Sequence, residues 1–86
     1  MNKVVIYTTP YCGYCVQAKR LLSRKGVTFE EVDVARDPEQ RRTMIQGSGG
    51  RMTVPQIFVN GNHIGDCDEI YALEKVGKLD GLLNPP

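Results

Sequence analysis

The chain has 86 residues, 41% hydrophobic and 24% charged, with a formal net charge of +1. That length supports one domain over residues 1–86 with one modest core, and the balance excludes a disordered chain. The near-zero charge leaves no basic field for nucleic acid, and no apolar run approaches the ~20 residues that span a bilayer.

Lys3 to Thr8, built on Val4-Val5-Ile6-Tyr7, reads as a strand buried on both faces. Thr9-Pro10-Tyr11 is a loop, because Pro10 has no N–H for a ladder. A first helix is expected from about Gly13 to Lys25, with Ala18, Leu21 and Leu22 at helical spacing and Gly26 as its stop. Its cations Lys19, Arg20, Arg24 and Lys25 read as a solvated face.

Val27 to Val34 is a second strand whose Glu30, Glu31 and Asp33 suit a sheet edge. A strand, a helix and a strand make a right-handed βαβ unit with parallel strands. Asp37-Pro38-Glu39-Gln40 supplies an N-cap, a proline at N1 and a capping-box Gln for a helix from about Pro38 to Gln46. Gly47 is read as its end, opening the linker Gly47-Ser48-Gly49-Gly50.

Val54 to Val59 is a third strand, and Asn60-Gly61 is a hairpin signal that leads into a partner strand, Asn62 to Gly65. Pro55 belongs where the third strand enters the sheet. A last helix is expected from about Asp68 to Val76, with Ile70, Leu73 and Val76 on its core stripe. Leu79 to Leu83 adds one short turn.

The chemistry is concentrated in Cys12-Gly13-Tyr14-Cys15, delivered by a strand to the start of a helix. A helix N-terminus carries roughly half a positive charge and unpaired N–H groups, which favour thiolate, the attacking form of cysteine. Cys12 is therefore the candidate nucleophile. Cys15, three residues on, lies on the same side of the first turn and is the candidate resolving thiol. The three cysteines, an odd number, show no framework of spaced pairs, so a reducing cytoplasm is the expected location. A metal reading also exists, since His63-x-x-x-Cys67 could join the two cysteines as zinc-type ligands.

Together, Ile6-Tyr7-Thr8, Cys12-Gly13-Tyr14-Cys15, Thr53-Val54-Pro55-Gln56-Ile57-Phe58 and His63-Ile64-Gly65-Asp66-Cys67-Asp68 make nearly the whole chain resemble the small dithiol glutaredoxins of bacteria. The resemblance implies a thioredoxin-like α/β fold: a four-stranded mixed sheet, order 2-1-3-4, with helices on both faces. It also implies a monomer that uses glutathione to reduce glutathione mixed disulfides and protein disulfides, with glutathionylated or disulfide-bonded proteins as partners. On the family pattern, Val54 before a cis Pro55 offers its backbone to the cysteinyl part of glutathione, and Tyr14 and Thr53 line the groove. Asp68 and the helix start beside it, with Cys67 in the same binding set, hold the γ-glutamyl end. Arg51 faces the glycyl carboxylate.

Three positions depart from the pattern. Gly13 replaces the usual proline, Thr9 replaces a cation, and Asp66 replaces a glycine, adding negative charge near the glutamyl carboxylate. Glycine between the cysteines is also the feature of family members that carry a [2Fe–2S] cluster between two subunits. Cys12 and glutathione as cluster ligands are the alternative reading.

Overall fold

In the computed structural model, which describes residues 2–86, eight elements follow in order. They are β1 (Val4–Thr8), α1 (Gly13–Arg24), β2 (Phe29–Asp33), α2 (Pro38–Gly47), β3 (Gln56–Val59), β4 (Asn62–Gly65), α3 (Cys67–Lys75) and α4 (Leu79–Leu83). The sheet order is β2-β1-β3-β4. β1 runs parallel to β2, with Val4 opposite Phe29 and Thr8 opposite Asp33, and antiparallel to β3, with Ile6 opposite Ile57. This is the thioredoxin-like arrangement. No helix among the described residues is long and apolar enough to cross a membrane.

Strand alternation sorts the core into two layers. Val4, Ile6, Ile57 and Val59 face α1, α3 and α4, meeting Ala18, Leu21, Leu22, Ile70, Leu79 and Leu83. Tyr7 and Phe58 face the other way with Val34 and α2's Met44. Full burial of each large apolar side chain contributes about 1.5–3 kcal/mol, so α1, with Leu21 and Leu22 both buried, is firmly seated. Lys25 at its C-terminus bonds Glu74 and Asp80, and Lys19 bonds Glu31. Two of the four cations expected on a solvated face are thus paired.

The second helix includes Gly47 as its last residue, one beyond the expected Gln46. It is capped at Ser48 and turns at Gly49 (φ 75°). The Gly49 N–H meets the Gln46 carbonyl and the Gly50 N–H meets that of Ile45, the paired bonds of a Schellman ending. Gly47 is glycine for space: a Cβ there would lie 2.8 Å from the Phe58 ring. At the start of α2, Asp37 accepts the Gln40 N–H as expected.

Other boundaries shift as well, and β2 is shorter than expected, Phe29–Asp33. β3 begins at Gln56, immediately after Pro55, and the Val54–Pro55 peptide is cis. α3 begins one residue early, at Cys67, and ends at Lys75, which leaves Val76 as an exposed cap rather than a core residue. α4 is more than a loose turn, because Leu79 and Leu83 are both buried in the main core.

Gly47→Ala tests the packing at α2. Alanine in a helix interior normally gains about 1 kcal/mol over glycine. Here the Phe58 ring is buried and set edge-on against Tyr7 at 5.3 Å, so overpacking of about 1–3 kcal/mol should win. Urea unfolding should show a net loss of stability; a gain would contradict the contact.

Candidate active site

Seated α1 fixes where its first turn points. Tyr11, in the loop before it, adopts φ 59°, and its ring is fully exposed. Cys12 is extended and caps the helix: its Sγ accepts the Cys15 N–H at 3.1 Å. Sulfur here fills the place usually taken by a serine or aspartate oxygen. A charge-assisted bond of this kind is stronger to thiolate than to thiol.

The two cysteines stand in different surroundings. Cys12 is partly exposed, whereas Cys15 is 2% exposed. Burial first, and then the hydrogen bond with Cys12, push the Cys15 thiol up to about 12. The Thr9 backbone and Lys19 act in the opposite sense. The pair therefore divides into an accessible sulfur and a buried thiol that keeps its proton. Both line a hollow of about 330 Å³ with Thr8, Lys19, Glu31 and Asp33. Glu31 accepts from Thr8 Oγ1 at 2.8 Å and Lys19 Nζ at 3.0 Å. Burial alone would raise its carboxyl, but those two donors hold it below the usual carboxylate range.

A separate groove of about 270 Å³ starts at Tyr14, in the same first turn of α1. Thr53 and Val54 form one wall, and Asp66, Cys67 and Asp68 at the start of α3 form another. Five of the seven residues expected to bind a ligand thus meet in one place. Pro55 is buried beneath them and does not line the groove. Cys67 is buried; burial, then the nearby Asp68 and Asp66, raise its thiol. Among the described residues no three His, Cys, Asp or Glu side chains are grouped to hold a metal ion.

Arg51 does not line this groove but stands beside its Asp66 wall. Its guanidinium forks onto Glu69, one nitrogen to each carboxylate oxygen, and lies 3.9 Å from Asp66. Glu69 was not among the residues singled out, although its signal was present. Asp66-x-x-Glu69 is a capping box: the Asp66 carboxylate accepts the Glu69 N–H at 2.9 Å and Glu69 Oε1 accepts the Asp66 N–H at 3.1 Å. Asp66 is thus the N-cap of α3 as well as a groove residue. Arg41 Nη2 reaches the Met52 carbonyl in the loop before β3 at 3.4 Å.

Comparison with known proteins agrees with this geometry. The family model described as Glutaredoxin matches residues 4–64. Glutaredoxin 3 of Escherichia coli K12 is 52% identical over 83 residues, covering 96% of this chain and 99% of that protein. The solution structure of a glutaredoxin from Brucella melitensis is 54% identical, with a TM-score of 0.81 over 94% of this chain and 87% of that one. A crystal structure of a buckwheat glutaredoxin–glutathione complex is 30% identical, with a TM-score of 0.83 over 95% of this chain and 76% of that one.

The Arg51–Glu69 fork makes a pH prediction. The Arg51 hydrogen bonds hold the Glu69 carboxyl down at about 2, from an ordinary value of 4.5. A depressed folded value means stability that is present above the unfolded value and lost as pH falls through the folded one. Stability should therefore decline from about pH 4.5 toward pH 2, and Glu69→Gln should flatten that part of the curve. Both side chains are part-exposed, so added salt should shrink the difference. Parallel acid-unfolding curves for the two proteins would contradict the pairing.

Proposed function

The chain belongs to the glutaredoxin family, whose members are thiol–disulfide oxidoreductases, and on that premise we propose that glutathione is its reductant and the glutathionyl group its recognised substrate. The observation that supports this most is the groove from Tyr14 to Asp68, which begins in the same helical turn as the accessible sulfur. Val54, beside cis Pro55, presents backbone to the cysteinyl part of glutathione in the manner of an added strand. The N–H groups opening α3 suit the glutamyl carboxylate, and Asp68 suits its ammonium. Asp66 adds like charge to the glutamyl carboxylate and lowers affinity. Arg51, expected to face the glycyl carboxylate, is engaged with Glu69 in the ligand-free chain. Exposed Tyr11, Tyr14 and Met52 give protein substrates an apolar rim.

The reaction runs as paired exchanges. Cys12 thiolate attacks the glutathione sulfur of a mixed disulfide; the old S–S bond breaks, and the protein thiolate leaves and takes a proton from water. Cys12 now carries glutathione. A second glutathione thiolate attacks that glutathione sulfur, forming oxidised glutathione and returning Cys12 as thiolate. With a protein disulfide as substrate, Cys12 attacks one sulfur and expels the other as thiolate; Cys15 then gives up its proton to water and attacks Cys12 Sγ, breaking the mixed disulfide and releasing the second protein thiolate. One glutathione opens the resulting Cys12–Cys15 disulfide to a mixed disulfide, and a second completes the reduction and leaves as oxidised glutathione. Burial, and after it the neighbouring Cys12 sulfur, hold the Cys15 proton in the resting enzyme.

A second reading, the [2Fe–2S] carrier, is favoured by the open space over Gly13, where an added Cβ meets nothing within 4 Å. One chain offers Cys12 as its accessible sulfur, so four ligands need two chains and two glutathiones. A bound cluster would supply one-electron or cluster-transfer chemistry. Anaerobic reconstitution with iron, sulfide and glutathione tests it: a colourless monomer would leave the oxidoreductase alone.

Single-cysteine variants separate the two reductions. Cys12→Ser should abolish both activities in an assay coupled to glutathione reductase and NADPH. Cys15→Ser should retain most activity on a glutathione mixed disulfide and lose protein-disulfide reduction, because only the latter needs an internal resolver. Equal loss on both substrates would refute the division of roles.

A further inference from the structure

Behind the groove lies a buried amide that the mechanism above does not use. Gln56, the first residue of β3, is 0% exposed. Its Nε2 donates to the Thr53 carbonyl at 3.1 Å and to Thr53 Oγ1 at 3.3 Å, which turns its Oε1 away from the loop. His63 Nε2 sits 2.6 Å from that Oε1. An amide oxygen only accepts, so His63 Nε2 must carry hydrogen and donate. The ring is held by Phe58, 5.2 Å away between centroids, and lies on the edge strand β4. The charged groups that act on it are Arg51, Glu69 and Asp66. Burial first, and then Arg51, disfavour its imidazolium, although either charge state donates from Nε2.

We propose that His63 is a positioning residue: through Gln56 it fixes Thr53, and with it the Val54 backbone presented to the groove. The proposal rests on the reading that this groove holds the glutathionyl group. Removing the imidazole leaves the Gln56 oxygen buried without its donor. The amide is then free to rotate, and rotation releases both of its bonds to Thr53. Cys12 stands on a different element and is unaffected. The strut therefore governs how well the substrate is held, rather than how the sulfur reacts.

The test compares the full-length protein with His63→Ala and His63→Gln, whose side-chain N–H₂ can replace the lost donor. For a glutathionylated peptide, His63→Ala should raise KM about three- to tenfold with kcat changed less than twofold, and His63→Gln should recover most of the loss. Iodoacetamide labelling of Cys12 should be the same in all three. Backbone ¹⁵N order parameters supply a ligand-free readout, about 0.85 for rigid and below about 0.6 for flexible segments. Those of Thr53 and Val54 should fall in His63→Ala and recover in His63→Gln. Unchanged order parameters in His63→Ala, or a His63→Gln protein as impaired as His63→Ala, would overturn the strut. The glutathione reading fails separately, if wild type shows no preference for the glutathionylated peptide over the same peptide carrying cysteamine. Loss of loop order in His63→Ala would uphold the strut even then.

Discussion

The hydrogen bond from the Cys15 N–H to Cys12 Sγ is the interaction from which the site follows. It exists because Cys12 occupies the N-cap of α1, and the cap is fixed because Leu21 and Leu22 seat that helix on the sheet. One turn of helix then makes two cysteines chemically unlike. The capping sulfur faces solvent and receives a donor; the next one is buried and keeps its proton. A helix displaced from its seat would lose both properties together, since neither belongs to the cysteines alone.

The groove has a different origin. Tyr14, the Thr53–Val54 pair and the Asp66–Asp68 turn come from three separated stretches, brought together by β1–β3 pairing and by the β3–β4 hairpin. The capping box places α3's opening N–H groups, and the Arg51–Glu69 fork ties the loop before β3 to that same helix. The groove's walls are thus cross-braced from outside, by Arg51 and by the Gln56 amide, while its interior stays open.

Much of this could be read from the sequence where the signal was local. The apolar run of β1, the Asn60-Gly61 turn (φ 51° and 83°) and the Asp37-Pro38 start of α2 each carry their structure within a few residues. The Cys12-to-Cys15 spacing did so for chemistry, and the grouping of Tyr14, Thr53, Val54, Cys67 and Asp68 followed from family resemblance. Misreadings arose where a distant partner decides. Gly47 does end α2, but the Phe58 ring eleven positions on, rather than the turn, makes it glycine. Val76 continues the stripe of Ile70 and Leu73, but α3 ends before it. Nothing local announces that Arg51 will fork onto Glu69, or that Gln56 and His63 will meet across a hairpin.

Locating the trapped adduct tests the central claim most directly. Cys15→Ser protein treated with oxidised glutathione and mapped by peptide mass spectrometry should carry glutathione on Cys12, with Cys67 left free. That outcome requires both an accessible capping sulfur and a groove that accepts the glutathionyl group. Glutathione found on Cys67, or no adduct while Cys12 still reacts with iodoacetamide, would contradict the account.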